Sequence, residues 1–431
     1  MAIWLWIIAA WAISLAFLKG KKIRMEHLIW MLLPVDMYGL TIAGITLKPY
    51  MIFCGFLLFR KLLIGEIELS VKSRWSVISG VIILLLIGVN AFNNQSIQSL
   101  ISSAMLAVVW CCCMIYLSDC DNNSPEEISE VLVATGIGFG AVFVIGYLCW
   151  ELNLNLPGIL AETRGETGFI MAFHNMYDGE LLNTVRLRGF TIDPNAIIGT
   201  FLFSLCISLF RIVTGKGGIR EVLAVILSIW CAILSNSRMG LICSIVVGVC
   251  SIIVSYRWAT ARGKSRVKLV VLCFVVLLFI SIVTGILPRI ISSIIANFEN
   301  RSGLNDEYGR FTIWKDAAEI WWKKSPFFGI GFGQMQYHTV MARACHNTWL
   351  EVLCANGLFL GGATIIHFVI VMLRGLCSGF RMPENTFTWA MVLGTMGIMI
   401  SLIAVDNLMF SYLWFCTSVI SVISDGCWRK K

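Results

Sequence analysis

Charge is what this chain has least of. Asp, Glu, Lys and Arg make up 13% of its 431 residues, against roughly 25% in an average soluble domain. A surface that poor in charge does not belong to a water-soluble globule, and the hydrophobic share of 58% agrees. Other absences narrow the chemistry. The 16 cysteines form no CxxC and no Cys/His cluster at ligand spacing, and there is no HExxH, so a metal or disulfide framework is not expected. Most of them, such as Cys112, Cys206 and Cys243, lie inside apolar runs, where a thiol behaves as a small apolar core group. The chain shows no internal repeat, no low-complexity segment and no soluble domain. Neither a cofactor nor a nucleic-acid partner is expected.

What the chain does have is apolar runs of about 17–25 residues, each long enough to cross a bilayer as a helix. They fall at 2–18, 28–46, 50–64, 76–92, 99–117, 131–150, 195–213, 221–235, 239–256, 269–287, 348–372, 386–404 and 408–424. The second and third are interrupted by Pro34, Asp36 and Lys48-Pro49, so 12 or 13 spans are expected. The predicted fold is all-α: one polytopic membrane domain over 1–431, with a large loop carrying short amphipathic helices. The first run is followed by a basic cluster and lacks a small-residue cleavage pattern, so it reads as a retained helix and not a signal peptide.

Alternate loops are basic. Lys19, Lys21, Lys22 and Arg24 begin a set that continues through Arg60 and Lys61, Arg211 to Arg220, Arg257 to Lys268, and Arg429 to Lys431. The positive-inside rule puts that set in the cytoplasm. The acidic loop 118–130 is the exception on that side. Two long loops, 151–194 and 288–347, then fall outside with the turn at Ser235 to Arg238. Their cations are mostly arginine: Arg164, Arg186, Arg188, Arg238, Arg289, Arg301, Arg310 and Arg343. Guanidinium forks suit bidentate binding of phosphate. Scattered surface arginines or lipid headgroup contacts are the plainer alternative.

The stretch 309–361 is a polar island in this apolar chain. Phe311, Trp314, Ala318 and Trp321 recur at helical spacing, and Pro326 ends the run. The spacing predicts a short amphipathic helix lying along the membrane surface, with Arg310 at its start. The glycines of GIGFG, Gly329 to Gly333, predict a turn. They do not make a nucleotide loop, since no strand precedes them and no Walker lysine follows. His346 and Asn347 stand before the next span, and Asn347 or Thr348 suits its N-cap. A neutral imidazole there suits a general base near pH 7, or merely a hydrogen bond to backbone. A Cys345/His346 nucleophile pair is disfavoured, because sequence neighbours rarely face each other. His27, His174, His338 and His367 are weaker candidates. Gly357 and Gly361 have the spacing of a helix-packing face. In the first outside loop, Arg186 and Arg188 precede Gly189, and Asp193 or Asn195 suits the cap of the following helix.

Four ordered elements together resemble the O-antigen ligase/polymerase superfamily of bacterial envelope glycosyltransferases. They are RLRGFTIDPN before a span, SNSRMG at an outer turn, GRFTIWKDAAEIW with SPFFGIGFG, and HNTWLEVLCANG entering a span, over about 186–361. The ligase pattern of His, then Asn or Ser, nine residues and Gly is met by His346, Asn347 and Gly357. A further small residue is expected at 360, where this chain has Leu360, with Gly361 next.

The resemblance implies metal-independent, inverting glycosyl transfer at the outer face of the bacterial plasma membrane, from a glycan carried on undecaprenyl diphosphate. Position by position it implies Arg238 and Arg310 on the diphosphate and His346 as base for the acceptor hydroxyl. It further implies Arg188, Arg186 and Asn347 as substrate contacts. The expected partners are the lipid-linked glycan, membrane lipids, a chain-length regulator and a flippase. A polymerase of repeat units (O-antigen, capsule or exopolysaccharide) is the first expectation. A ligase delivering glycan to lipid A core or protein is the second. A transporter would need paired repeats and mid-membrane charge, for which Asp36 and Glu351 are the main residues.

Overall fold

In the computed structural model the described residues are 2–18, 23–42, 45–65, 73–93, 97–118, 124–154, 156–163, 166–177, 180–261, 309–339, 344–405 and 407–426. The expected span 269–287, and Arg164, Arg289, Arg301 and Arg343, lie outside them.

Helices carry the architecture. They are α1 (Ala2–Phe17), α2 (Met25–Leu32), α3 (Pro49–Ile64), α4 (Arg74–Asn93), α5 (Ile97–Ser118), α6 (Pro125–Glu151), α7 (Ile198–Val213), α8 (Ile219–Leu234) and α9 (Arg238–Ala261). After these come α10 (Arg310–Lys324), α11 (Thr348–Asn356), α12 (Gly362–Arg381), α13 (Thr386–Ser401) and α14 (Ser411–Ser424). Segments at 74–92, 125–151, 238–259 and 348–381 are long and apolar enough to cross a membrane, with mean hydropathy between 1.9 and 2.3. Shorter apolar helices accompany them, among them α1, α7, α13 and α14. Local sequence sets the ends. Ser124 and Glu127 form a reciprocal capping box at the start of α6, with Pro125 in its first turn, where a missing N–H costs nothing. Gly65 closes α3 in the left-handed region at φ 75°.

The most enclosed of the spanning helices is α6. Gly136, Gly138 and Gly140 bring its backbone against Ser204 of α7, Ser14 of α1 and Leu227 of α8. Small residues at such crossings let helices approach closely where lipid offers no hydrophobic drive.

The bundle has two distinct ends. At one, Arg211 at the end of α7 and Arg220 at the start of α8 meet the first turns of α6. Arg211 lies 2.7 Å from Glu126, 2.8 Å from Glu130 and 3.4 Å from Glu221. Arg220 pairs with Glu130 and Glu221 and donates to the Phe17 carbonyl. This network accounts for the acidic segment that interrupts the basic loops: its carboxylates neutralise arginines counted on the same side. Removing one member strands buried charge, typically a loss of 3–5 kcal/mol. Glu130→Ala is therefore expected to lower stability by about 3 kcal/mol, read as a drop in thermal unfolding temperature in detergent.

Two segments depart from the expected helices. The run 28–46 does not make one span. Its helix stops at Leu32, before Pro34, and residues Leu40–Ile42 and Ile45–Leu47 pair as the antiparallel strands β1 and β2. Asp36 lies outside the helices, between α2 and β1. It pairs with Lys48 at 2.5 Å, and its backbone N–H and that of Met37 donate to the Phe190 carbonyl, at the end opposite the arginine–glutamate network. The loop 151–194 also contains strands: β3 (Leu160–Ala161), β4 (Ile170–Tyr177) and β5 (Glu180–Leu187). β4 and β5 form an antiparallel hairpin with Met171 opposite Arg186, and β3 joins β4 in parallel.

Candidate active site

Arg186, Arg188 and Arg238 lie at the end of the bundle that holds β1–β5, and Arg310 lies within the field of Arg238. The turn between α8 and α9 is the first piece. Asn236 reverses the chain at φ 47°, a left-handed conformation that Asn tolerates better than most residues. Ser237 Oγ then accepts from Gly240 N at 3.0 Å, capping α9 and placing Arg238 in its first turn, half-buried.

The segment after β5 is tied to this turn. Arg186 Nε donates to the Ser235 carbonyl at 3.1 Å, and its guanidinium to Asn195 Oδ1 at 3.4 Å. Ser237 Oγ donates to the same Asn195 oxygen at 2.6 Å. Asp193 Oδ1 accepts both the backbone N–H and the side-chain Nδ2 of Asn195, each at 2.7 Å. Arg188 is fully buried and donates to the carbonyls of Gly168, at 2.9 Å, and Glu166. Arg186 and Arg188 thus brace the loop on backbone oxygens. The signal sequence reasoning lacked was the hairpin itself, since alternation along a strand puts 186 and 188 on one face.

The second piece is α10, which begins at Arg310 with Gly309 as N-cap. Its buried face is Ile313 and Ala317, joined by partly buried Trp314, Ile320 and Trp321, whereas Phe311 is exposed. The expected face of Phe311, Trp314, Ala318 and Trp321 is therefore rotated. The helix buries its stripe against protein, in a small core with Met335, Cys345 and Cys354. Trp314 Nε1 donates to the Cys345 carbonyl at 3.0 Å, so a residue one turn beyond Arg310 holds the residue before His346. An open depression of about 410 Å³ lies along α10, lined by Lys315, Ala318, Glu319, Trp321, Trp322 and Lys323.

The third piece is α11. His346 has φ 48°, a conformation uncommon outside glycine that tends to mark functional turns. Asn347 Oδ1 accepts from Trp349 N and Leu350 N, so the expected substrate contact serves as the N-cap. Thr348 fixes the helix start to the turn after α13. Its N–H bonds the Leu402 and Val405 carbonyls, and its hydroxyl donates to Val405 O at 2.6 Å.

The far end of α11 explains the glycines. The helix breaks at Gly357 (φ 71°, ψ 178°) and resumes through a π turn over Gly357–Gly361. A broken helix leaves carbonyls without partners. Ile330 N and Gly331 N of the glycine turn donate to the Cys354 and Ala355 carbonyls at 2.9 and 3.0 Å, and Leu358 N returns a bond to Pro326 O at 2.8 Å. Glu351 Oε1 accepts Gly333 N at 3.1 Å, and Phe332 N is held by Asn90 of α4. Gly357 and Gly361 therefore do not form a helix-packing face. They admit the Phe327 and Val352 carbonyls.

Electrostatics links the pieces. Burial pushes the pKa of Arg310 down, Asp193 opposes that, and the nearby charge of Arg238 adds to it. Arg238, Arg310 and Asp193 thus share one field. Arg238 and Arg310 open helices, and His346 lies just before the cap of a third, so the positive ends of α9, α10 and α11 add to the attraction for anions. Cys345 is buried, and a hydrogen bond to Cys354 together with burial pushes its thiol pKa up, which removes it as a nucleophile. Other histidines sit elsewhere: His367 bonds Ser79 inside the bundle, and His338 contacts Lys324. Among the described residues no group of three or more His, Cys, Asp and Glu side chains is placed to hold a metal ion. Sequence reasoning treated Asp193 and Asn195 only as helix caps and missed the tie from Asn195 to the Arg238 turn.

A helical protein with apolar helices long enough to span a membrane thus carries arginines and helix N-termini suited to an anion at one end. Residues 223–365, which include Arg238, Arg310, His346 and Asn347, match the O-antigen ligase family model, and this supports placing the chain in the O-antigen ligase/polymerase superfamily. The family's members are glycosyltransferase-like enzymes acting on lipid-linked glycans. No curated protein matches it.

Proposed function

We propose that the protein is a metal-independent polymerase, joining oligosaccharide repeat units carried on undecaprenyl diphosphate at the outer face of the bacterial inner membrane. What supports this reading is that Arg238 and Arg310 share one field and that α10, which carries Arg310, is bonded to the residue before His346. In the reaction His346 takes the proton of the acceptor hydroxyl. The freed oxygen attacks the anomeric carbon, and the bond from that carbon to the diphosphate oxygen breaks. The donor supplies its own leaving group, on which charge grows, and Arg238 and Arg310 stabilise that charge. Arg186, Arg188 and Asn347 act by bracing the loops that present these groups. The lipid-linked glycan is the substrate, and a chain-length regulator and a flippase are its expected partners.

His346→Ala is expected to keep expression and membrane insertion while transfer falls by about 10²-fold or more. The readout is the glycan ladder on a gel together with turnover of a synthetic lipid-linked donor. A normal ladder would remove His346 from the reaction. The family match by its ligase description, with the His346-Asn347-Gly357 spacing, favours a second reading: transfer of finished glycan to lipid A core. Purified enzyme given only lipid-linked repeat units separates the two, since a polymerase lengthens them and a ligase does not.

A further inference from the structure

Two arginines in one field repel each other, and the fold ties a carboxylate to the turn that carries one of them. Asp193 is half-buried. One of its oxygens is taken by the two Asn195 donors. Through Asn195 and Ser237 it is fixed, by bonds of 2.6 and 2.7 Å, to the residue that precedes Arg238, and its charge is felt at Arg310. Closing the loop does not need that charge, since an Asn side chain makes the same turn with its amide oxygen. What the carboxylate adds is negative charge in the field of Arg238 and Arg310.

We propose that Asp193 is the counter-anion of the Arg238–Arg310 pair, balancing the two guanidiniums before the donor arrives and speeding release of the diphosphate product. The inference rests on the reading of these arginines as the diphosphate site. An arriving diphosphate meets the arginines partly neutralised, so it binds less tightly than two bare guanidiniums would allow. Binding that is equally strong before and after transfer adds nothing to turnover, and a product that leaves slowly subtracts from it. Asp193 therefore moderates affinity and favours release.

The test uses the full chain in lipid nanodiscs and direct binding of farnesyl diphosphate, with farnesol as the uncharged control. Asp193→Asn keeps an acceptor oxygen for Asn195 and removes the charge. It is expected to bind farnesyl diphosphate about tenfold more tightly, with farnesol unchanged, and to lower kcat and KM together. Asp193→Ser, which keeps a short acceptor, is expected to shift affinity the same way and serves if the first variant folds poorly. Arg310→Ala is expected to lose diphosphate binding. If Arg310→Ala loses binding but neither Asp193 variant tightens it, Asp193 is not the counter-anion and the diphosphate reading stands. If Arg310→Ala binds like the parent, the diphosphate reading falls and this inference falls with it.

Discussion

Arg310→Ala is expected to lower glycosyl transfer by about 10³-fold, the largest catalytic loss among single substitutions in this chain. Three features of the site set that size. The guanidinium is partly buried, and burial, which lowers its pKa, also raises the worth of each charge contact it makes. It stands in the first turn of α10, where the free backbone N–H groups reinforce it. And α10 is fixed to the His346 segment through Trp314 and the Cys345 carbonyl, so the charge is pre-positioned when the leaving group develops. Arg310→Lys keeps the charge and loses the planar fork, so partial recovery is expected. Turnover of a synthetic lipid-linked donor in proteoliposomes decides it. Alanine activity within tenfold of the parent would show that Arg310 does not carry the leaving-group charge.

The helices were legible because their signal is local. A run of apolar residues long enough to cross a bilayer reads the same in any context, and α4, α6 and α9 appear close to where hydropathy puts them. Caps were equally local: Asn347 serves as the N-cap that its position before the span suggested. Less legible was whatever depends on a distant partner. The β4–β5 hairpin follows no clean alternation of apolar and polar residues, so nothing in the loop announced that Arg186 and Arg188 would brace it. The buried face of α10 turned away from the expected one because Met335, Cys345 and Cys354 supply the surface it covers, and those residues lie beyond its own span. Arg238, Arg310 and His346 could be named from sequence and grouped by the family resemblance, but not the contacts that hold them. Those contacts run through Asn195, Ser237 and Trp314, of which the sequence marked Asn195 only as a cap and Trp314 only as part of an apolar face.

Gly357→Ala is expected to cost the fold about 3 kcal/mol or more, and with it the activity. The residue sits at φ 71° and ψ 178°, a region of backbone space open essentially to glycine alone. A Cβ there would also overlap the Phe327 carbonyl. That carbonyl belongs to the chain entering the glycine turn, and its neighbour Pro326 accepts from Leu358 N, so moving it aside breaks the reciprocal bonds between the turn and the broken helix. Gly329→Ala strikes the same seam from the other side, since its added Cβ would meet the Ala355 carbonyl at φ 77°. Gly362→Ala is the control. It lies five residues on, in regular helix, with nothing within 4 Å of an added Cβ, and a Gly-to-Ala exchange there is expected to be neutral or stabilising by up to about 1 kcal/mol. Thermal unfolding of the three variants in detergent provides the comparison. Melting of Gly357→Ala at the parent temperature would mean that the turn and the helix break are not interlocked. Loss confined to Gly357→Ala and Gly329→Ala would show that the seam between them, and not helix propensity, seats α11 and the His346 segment before it.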